Sequence, residues 1–327
     1  MKAITYSRYG SPDVLQLKEV ETPEPKDDEV RIRVQAAEVT KSDCEMRSFR
    51  YSVKWFWLPL RIALGIRRPR RPILGGYFAG EIESMGKEVT QFSVGDQVFG
   101  ASSLRFGAHG EYLALPARYT IVAKPKNMSF AEAAAVPLGG LNALHFMRRA
   151  KIQAGETVLI NGAGGSFGAH AVQLAKAMGA QVTAVDSAIK KDFLFRIGAD
   201  YFIDYAQEDC FANGRKYDVV FNMVPGSSYS AGLKALNPQG RFLSGNPRLS
   251  VMFRSVLTSW FTDKTATIAF AAESKEELLT LKQMIEEGHI RSIVDRVYTM
   301  DQAAEAHYRV ETEERIGAVV IAVGGLP

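Results

Sequence analysis

Cysteine is nearly absent from this chain of 327 residues; Cys44 and Cys210 are the two it has. Two thiols cannot build the disulfide framework of a secreted scaffold, so a reducing cytoplasm is the expected location. With five histidines beside them, little material remains for a zinc site made mainly of those ligands. Long apolar runs are missing as well. No stretch reaches the roughly 18 residues of a membrane span. The longest candidate, 55–66, is short and carries Arg61 in its middle. Met1 leads straight into Lys2-Ala3-Ile4-Thr5-Tyr6, a strand-like alternation and not a signal peptide's apolar core. No GxxxxGK[ST] motif occurs, which excludes a P-loop.

What is present is ordinary globular material, 46% hydrophobic and 23% charged, in a length that suits two domains. The charge is unevenly placed. Between Phe49 and Pro72 stand seven basic residues (Arg50, Lys54, Arg61, Arg67, Arg68, Arg70, Arg71) and no acidic one. Taking those seven from the net +4 leaves −3 for the rest, so the basic balance belongs to one segment. It also holds Trp55 and Trp57, two of the three tryptophans. Basic residues with aromatics suit nucleic acid or an anionic membrane surface. The competing reading is a loop over a substrate cleft, with packed aromatics and solvated arginines.

The first hundred or so residues read as β-rich, with short runs at 30–36, 80–85, 97–99 and 112–115 between Gly, Pro and Asp punctuation. Near Pro125 the pattern changes, and Pro137 is expected to break a helix. From Gly155 onward strands and helices alternate: strands at 157–160, 181–185, 217–221, 241–243 and 266–271, helices at 168–178, 190–197 and 228–236. Repeated βα units predict a parallel sheet covered on both faces. Ser274 with Glu277 marks a capped helix start and Gly288 lies past its end. A helix at 302–308 and a strand at 318–323 close the chain, a tail expected to return to the front domain.

Gly162-Ala163-Gly164-Gly165-Ser166-Phe167-Gly168 lies where a strand gives way to a helix. Glycines there let the backbone turn tightly and approach a pyrophosphate, which free N–H groups and the helix dipole then hold. The pattern is Gly-x-x-Gly-x-x-Gly, since Phe167 takes the last glycine of a strict GxGxxG. Its context strengthens it: the next strand ends in Asp186, placed to accept from adenosine ribose hydroxyls. Against this stands an ordinary strand–helix turn, with Asp186 a solvated charge.

Further motifs extend over nearly the whole chain. They are Thr40-Lys41-Ser42-Asp43, Gly75-Gly76-Tyr77-Phe78-Ala79-Gly80-Glu81-Ile82, Val94-Gly95-Asp96-Gln97-Val98-Phe99-Gly100, Ala133-Ala134-Ala135-Val136-Pro137-Leu138, Ala171-Val172-Gln173-Leu174-Ala175-Lys176 and Gly198-Ala199-Asp200-Tyr201. Together they resemble the medium-chain dehydrogenase/reductase superfamily, and the combination is similar to its zinc-independent quinone oxidoreductase and enone reductase branch. Short-chain dehydrogenases are a poorer match, because no Tyr-x-x-x-Lys pair exists.

The resemblance implies an α/β fold: a Rossmann-type doubly wound parallel sheet domain over 125–271, and a β-rich GroES-like catalytic domain over 1–124 completed by 272–327. It implies a homodimer paired through the edge strand near 265–271. Zinc-dependent relatives hold metal at positions matched here by Thr40, Gly76 and Tyr77, none a usual zinc ligand. No zinc is therefore expected, and alcohol dehydrogenation gives way to hydride transfer from NAD(P)H onto a quinone or an activated C=C bond, in a cleft between the domains.

By resemblance, Gly162, Gly164, Gly165, Ser166, Phe167 and Gly168 hold the pyrophosphate. Asp186 suits the 2′-hydroxyl of NAD, whereas Lys190 and Tyr205 match positions that bind the 2′-phosphate of NADP; the preference stays open. Asn222, Ser244, Gly245 and Asn246 would flank the nicotinamide, with Asn142 where relatives usually carry Thr. Tyr77, Tyr51 and Lys41 are the candidate proton donors, beside solvent. His109, His145 and Cys44 read as structural. A small-molecule substrate is expected and nucleic acid is not. A different class of function, a dinucleotide-binding adaptor, would use 49–72 to contact a membrane or partner.

Overall fold

The computed structural model describes residues 1–51, 57–245, 248–268 and 273–325. In chain order its elements are β1 (Lys2–Thr5), β2 (Gln16–Glu19), β3 (Glu29–Val39), α1 (Lys41–Ser48), α2 (Trp57–Leu64), β4 (Tyr77–Met85), β5 (Gln97–Ala101), β6 (Tyr112–Pro116) and β7 (Ile121–Ala123). Next come α3 (Phe130–Ala134), α4 (Pro137–Ala150), β8 (Thr157–Asn161), α5 (Ser166–Ala177), β9 (Gln181–Asp186), α6 (Lys191–Arg196), β10 (Tyr201–Asp204) and β11 (Tyr217–Asn222). The last are α7 (Tyr229–Lys234), β12 (Leu236–Ser244), α8 (Leu249–Phe261), β13 (Thr265–Ile268), α9 (Lys275–Glu286), β14 (Val294–Thr299), α10 (Ala303–Glu311) and β15 (Ala318–Ala322). The expected strand at 266–271 is seen as Thr265–Ile268, and 269–271 fall outside the described residues.

The chain divides into two compact units. The first comprises Met1–Leu138, Glu273–Glu287 and Ser292–Pro327. Its sheet runs β14-β15-β3-β4-β5-β7, with β6 also on β3; apart from β14 with β15, its pairings are antiparallel. Alternation along β3 sends Val30, Ile32 and Val34 into a core shared with Phe78, Ile82, Leu115 and, from the tail, Val319 and Ile321. That placement seats the C-terminal strand within the front sheet, as expected of the tail. The change of sequence pattern near Pro125 precedes the seam. α3 stays with the first unit because it buries Ala133 and Ala134 against β3 and β4.

The second unit comprises Gly139–Ala272 and Gly288–Arg291. Among its described residues six strands form one sheet, all parallel, in the order β10-β9-β8-β11-β12-β13. Counted within the unit this is 3-2-1-4-5-6, the doubly wound order. Residues 288–291 join it through Gln173, which donates to the Arg291 carbonyl (3.0 Å) and accepts from its N–H (2.9 Å). Strands buried on both faces need near-continuous apolar runs, and Val158, Leu159 and Ile160 on β8 are fully buried.

Helix ends follow their capping signals. Ser129 and Glu132 form a reciprocal capping box at α3, and Pro137 opens α4, so the proline separates two helices. At α9 the Ser274 hydroxyl accepts from the Glu277 N–H at 3.2 Å. α5 starts at Ser166, two residues before the sequence reading placed it, because Gly165 already serves as its N-cap.

Candidate functional site

In the second unit, ligands of such a sheet are expected where strand order reverses, beyond the carboxyl ends of β8 and β11. Gly162 follows β8 with a φ of +89°, which favours glycine, and the N–H groups of Gly162 and Ala163 both donate to the Val185 carbonyl (3.0 and 3.1 Å). A Cβ on Gly168 would stand 2.2 Å from the Gly162 oxygen, so this glycine lets α5 pack onto the turn. A Cβ on Gly165 would meet nothing within 4 Å, which leaves open space at the helix mouth. The first-turn N–H groups have no intrahelical acceptors. Beside them the buried Ser166 hydroxyl has no hydrogen-bond partner among the described residues. This cradle fits an anionic diphosphate.

Phe167, in place of the strict motif's last glycine, turns its ring onto Phe221 (5.2 Å between centroids) and Phe146 (6.1 Å). Its side chain belongs to an aromatic cluster, and only its backbone faces the mouth of the helix. Gly164 is needed for another reason. Its N–H donates to Asp186 Oδ2 at 2.7 Å, and a Cβ there would meet Lys190 Cδ at 2.3 Å. Asp186 Oδ1 accepts from the Ser187 N–H (2.8 Å) and pairs with Lys190 Nζ (3.0 Å). Both side chains are buried, so Asp186 is no solvated strand-end charge. Tyr205 stands alongside with an exposed ring, its N–H directed to the Asp186 carbonyl (3.4 Å).

Asn161, Asn222 and Ser244 occupy one row of the sheet, each in register with the next at the ends of β8, β11 and β12. Asn161 Nδ2 donates to Asn222 Oδ1 (2.9 Å) and Ser227 Oγ (3.2 Å); Asn222 Nδ2 donates to the Val224 carbonyl (3.4 Å). Asn161 and Ser227 were not singled out in the sequence, since amides and hydroxyls there carry no motif. A Cβ on Gly245 would lie 2.9 Å from Met223 Cε, so the loop packs closely. Asn142 is half-buried on α4, and Asn246 lies outside the described residues.

The first unit carries the proton-donor candidates. Tyr77 opens β4. Its phenol is held above the usual range, first by burial and then by the carboxylates of Glu273, Glu38 and Asp43. Glu273 is itself pushed up by burial; its carboxylate accepts from the Ser103 hydroxyl, and its carbonyl from the Thr120 hydroxyl (3.0 Å). Glu38 and Glu273 had no sequence signal, because β15 and the chain after β13 have to be folded before either is placed. Tyr51 belongs to a different cluster. Its ring meets Phe49 edge-on at 5.2 Å, and its buried hydroxyl has no partner among the described residues. Lys41 is on the surface in an ion pair with Glu313.

Asp43 organises the base of this region. Its Oδ2 accepts from the Thr40 hydroxyl (2.6 Å) and N–H (2.9 Å), its Oδ1 from the Gly75 N–H (3.0 Å), and Thr40 caps α1 in return. These positions do not fit a zinc ion: the Thr40 hydroxyl is spent on Asp43, Gly76 brings no side chain, and Tyr77 is held protonated. Among the described residues no group of three or more His, Cys, Asp or Glu could hold a metal.

His109 and Cys44 are structural. His109 Nε2 lies 3.3 Å from the Glu38 carbonyl, and the Cys44 thiol, 3.4 Å from His307 Nδ1, is pushed up by burial to about 12.

Residues 26–126 match the alcohol dehydrogenase GroES-like domain, and residues 197–321 the zinc-binding dehydrogenase family. A quinone oxidoreductase of Pseudomonas aeruginosa is 31% identical over 98% of this chain and 99% of its own. The NADPH-dependent alkenal/one oxidoreductase of Arabidopsis thaliana is 31% identical over 98% of this chain and 79% of its own. The solved quinone oxidoreductase of Coxiella burnetii superposes with a TM-score of 0.88, at 28% identity and 99% coverage of both chains.

Proposed function

We propose a function from one premise: the chain belongs to the medium-chain dehydrogenase/reductase superfamily, in its quinone oxidoreductase and enone reductase branch. On that premise it is an NAD(P)H-dependent oxidoreductase that reduces a quinone or an activated C=C bond. The observation that carries this reading is the glycine turn, whose tight start, open mouth and orphaned Ser166 hydroxyl suit a dinucleotide diphosphate.

Bound there, NAD(P)H supplies the hydride, and one further proton completes reduction of the enone or quinone. The chain's own residues have separable tasks. First-turn N–H groups and Ser166 hold the diphosphate; Asp186, Lys190 and Tyr205 face the adenosine ribose. Asn142, Asn222, Ser244, Gly245 and Asn246 position the nicotinamide. Tyr77, whose phenol stays protonated through neutral pH, delivers the proton. Tyr51 packs edge-on against Phe49 and Lys41 is engaged by Glu313, which favours Tyr77 among the three. Thr40, Gly76 and Tyr77, none a usual zinc ligand, favour this reaction over zinc-assisted alcohol oxidation.

We propose in addition that two copies pair through the second unit. β13 is the outer strand of its sheet, and α8 packed on it exposes Leu249, Met252, Phe253, Val256 and Trp260. The two thiols, both buried and unpaired, suit a reducing compartment. No helix among the described residues is long and apolar enough to cross a membrane.

The test is fluorescence titration with NADH and NADPH, followed by turnover with a panel of quinones and enones. Saturable binding with acceptor-dependent oxidation is expected. Binding without turnover across the panel would contradict the enzymatic reading.

A further inference from the structure

In sequence the basic, aromatic stretch suits either a solvated loop or an anionic contact, and the fold separates its members. Arg61 is no solvated charge. Its guanidinium lies over the rings of Phe49 (4.3 Å) and Tyr9 (4.4 Å), while the Tyr9 hydroxyl donates to the Gly65 carbonyl (2.8 Å). These contacts fasten α2 to the first unit by one side. Gly65 then turns the chain out of the helix with a φ of +119°, and the Arg70 N–H closes back on the Leu64 carbonyl (2.8 Å).

What the fastening leaves outside is apolar. Leu58, Ile62 and Ile66 are 61%, 55% and 61% exposed; the Trp57 ring meets Phe49 edge-on (6.0 Å) and lies by Arg61 (5.9 Å) yet stays 48% exposed, and no residue of α2 is fully buried. Immediately after them Arg67, Arg68, Arg70 and Arg71 are all exposed. No carboxylate occurs in the sequence from Met46 to Gly80, and among the described residues none pairs with these four arginines. An exposed apolar helix face ending in an unneutralised run of arginines has the chemistry of an interfacial anchor. Its aliphatic and indole groups enter the headgroup–acyl boundary while guanidinium groups meet phosphates.

We propose that residues 57–71 dock the protein onto an anionic lipid bilayer, with Trp57, Leu58, Ile62 and Ile66 inserted and Arg67, Arg68, Arg70 and Arg71 on the headgroups. Charge complementarity commits the surface to lipid: the arginines demand an anionic partner, and four exposed apolar side chains demand that it offer a non-aqueous layer. A nucleic acid offers only the first.

The test uses the full chain with sedimentable vesicles, either phosphatidylcholine alone or phosphatidylcholine mixed with phosphatidylserine, at low and high salt. Two variants are compared, Arg67→Gln/Arg68→Gln/Arg70→Gln/Arg71→Gln and Leu58→Ser/Ile62→Ser. Cofactor titration serves as the folding check, since every substituted side chain is exposed. The wild type is expected to bind the anionic vesicles and not the neutral ones. The arginine variant should bind on the order of several hundred-fold more weakly at low salt, and the apolar variant roughly tenfold or more. Tryptophan emission should shift to the blue on binding, a shift that Trp57→Phe diminishes.

Failure of the wild type to bind at low salt would overturn the proposal. So would anionic binding indifferent to Leu58→Ser/Ile62→Ser, which is mere charge adsorption, or preferential binding of single-stranded RNA. Self-association abolished by the same substitutions would give the face to a second copy. Loss of turnover with a soluble acceptor, vesicle binding intact, would make the segment a wall of the substrate site. The vesicle-binding outcomes do not depend on whether the chain is a reductase.

Discussion

Lys190 and Asp186 form a buried ion pair of 3.0 Å, their side chains 6% and 10% exposed, in a space that Gly164 leaves free. In the sequence these two residues argue for opposite cofactors. In the structure they neutralise each other, and Asp186 also holds the Gly164 N–H. On the proposed placement of the ribose, cofactor preference is a property of the pair. Asp186→Ser should release Lys190 toward a 2′-phosphate and raise the NADPH-to-NADH ratio of kcat/KM by roughly tenfold or more. Lys190→Ala should lower it by a similar factor, each about 1.4 kcal/mol. Steady-state kinetics with both cofactors checks this; a ratio unmoved by either change would remove the pair from the ribose subsite.

The glycines of the turn differ in what they protect. Gly168→Ala places a methyl 2.2 Å from a backbone oxygen, so about 1–3 kcal/mol of stability should be lost and cofactor binding with it. Gly165→Ala meets nothing, so thermal unfolding should be unchanged while cofactor affinity falls, because the methyl occupies the open mouth. Calorimetry paired with cofactor titration separates the two effects.

Tyr77→Phe should lower kcat/KM with enones by about 10²–10⁴-fold, with little change in cofactor affinity. Burial and the neighbouring carboxylates raise the phenol above its ordinary value. The wild type should then show no loss of rate from phenol ionisation near pH 10. Rates measured from neutral to alkaline pH test both points.

Acid sensitivity should come from His307. It is wholly buried and held well below its ordinary value, by burial first and then by His109 and Arg47. The folded state thus keeps it neutral while the unfolded chain takes up a proton below about pH 6.5. Its contribution is complete above that pH and is lost as pH falls toward the depressed folded value, by about 1.4 kcal/mol per pH unit. Urea unfolding at pH 7 and pH 5 should show a smaller pH dependence in His307→Gln than in the wild type.

Much of this was legible in the chain because it is local. The βα alternation after Gly155 and the glycine turn each occupy consecutive residues, and period and punctuation report them directly. That this sheet is parallel followed from the same alternation, although β10 was not read as a strand and the strand order was not given. What stayed hidden depends on distant segments meeting. Arg61 reads as a charge interrupting an apolar run, and only the placement of Tyr9 and Phe49 makes it a stacked one. The carboxylates around Tyr77 come from β3, from α1 and from the chain beyond β13, so no window of sequence contains them together. The seam after Leu138 was equally unreadable, because α3 is assigned by what Ala133 and Ala134 pack against and not by its own composition.

The central claim is hydride transfer to the acceptor, and isotope tracing tests it most directly. The purified protein is supplied with NADH or NADPH deuterated at nicotinamide C4, on either face, and with an enone, and the product is examined by mass spectrometry and NMR. The account predicts one deuterium at the β-carbon from one of the two faces, with the α-hydrogen drawn from solvent. Oxidation of the cofactor without deuterium in the product, or no product despite saturable cofactor binding, would contradict it.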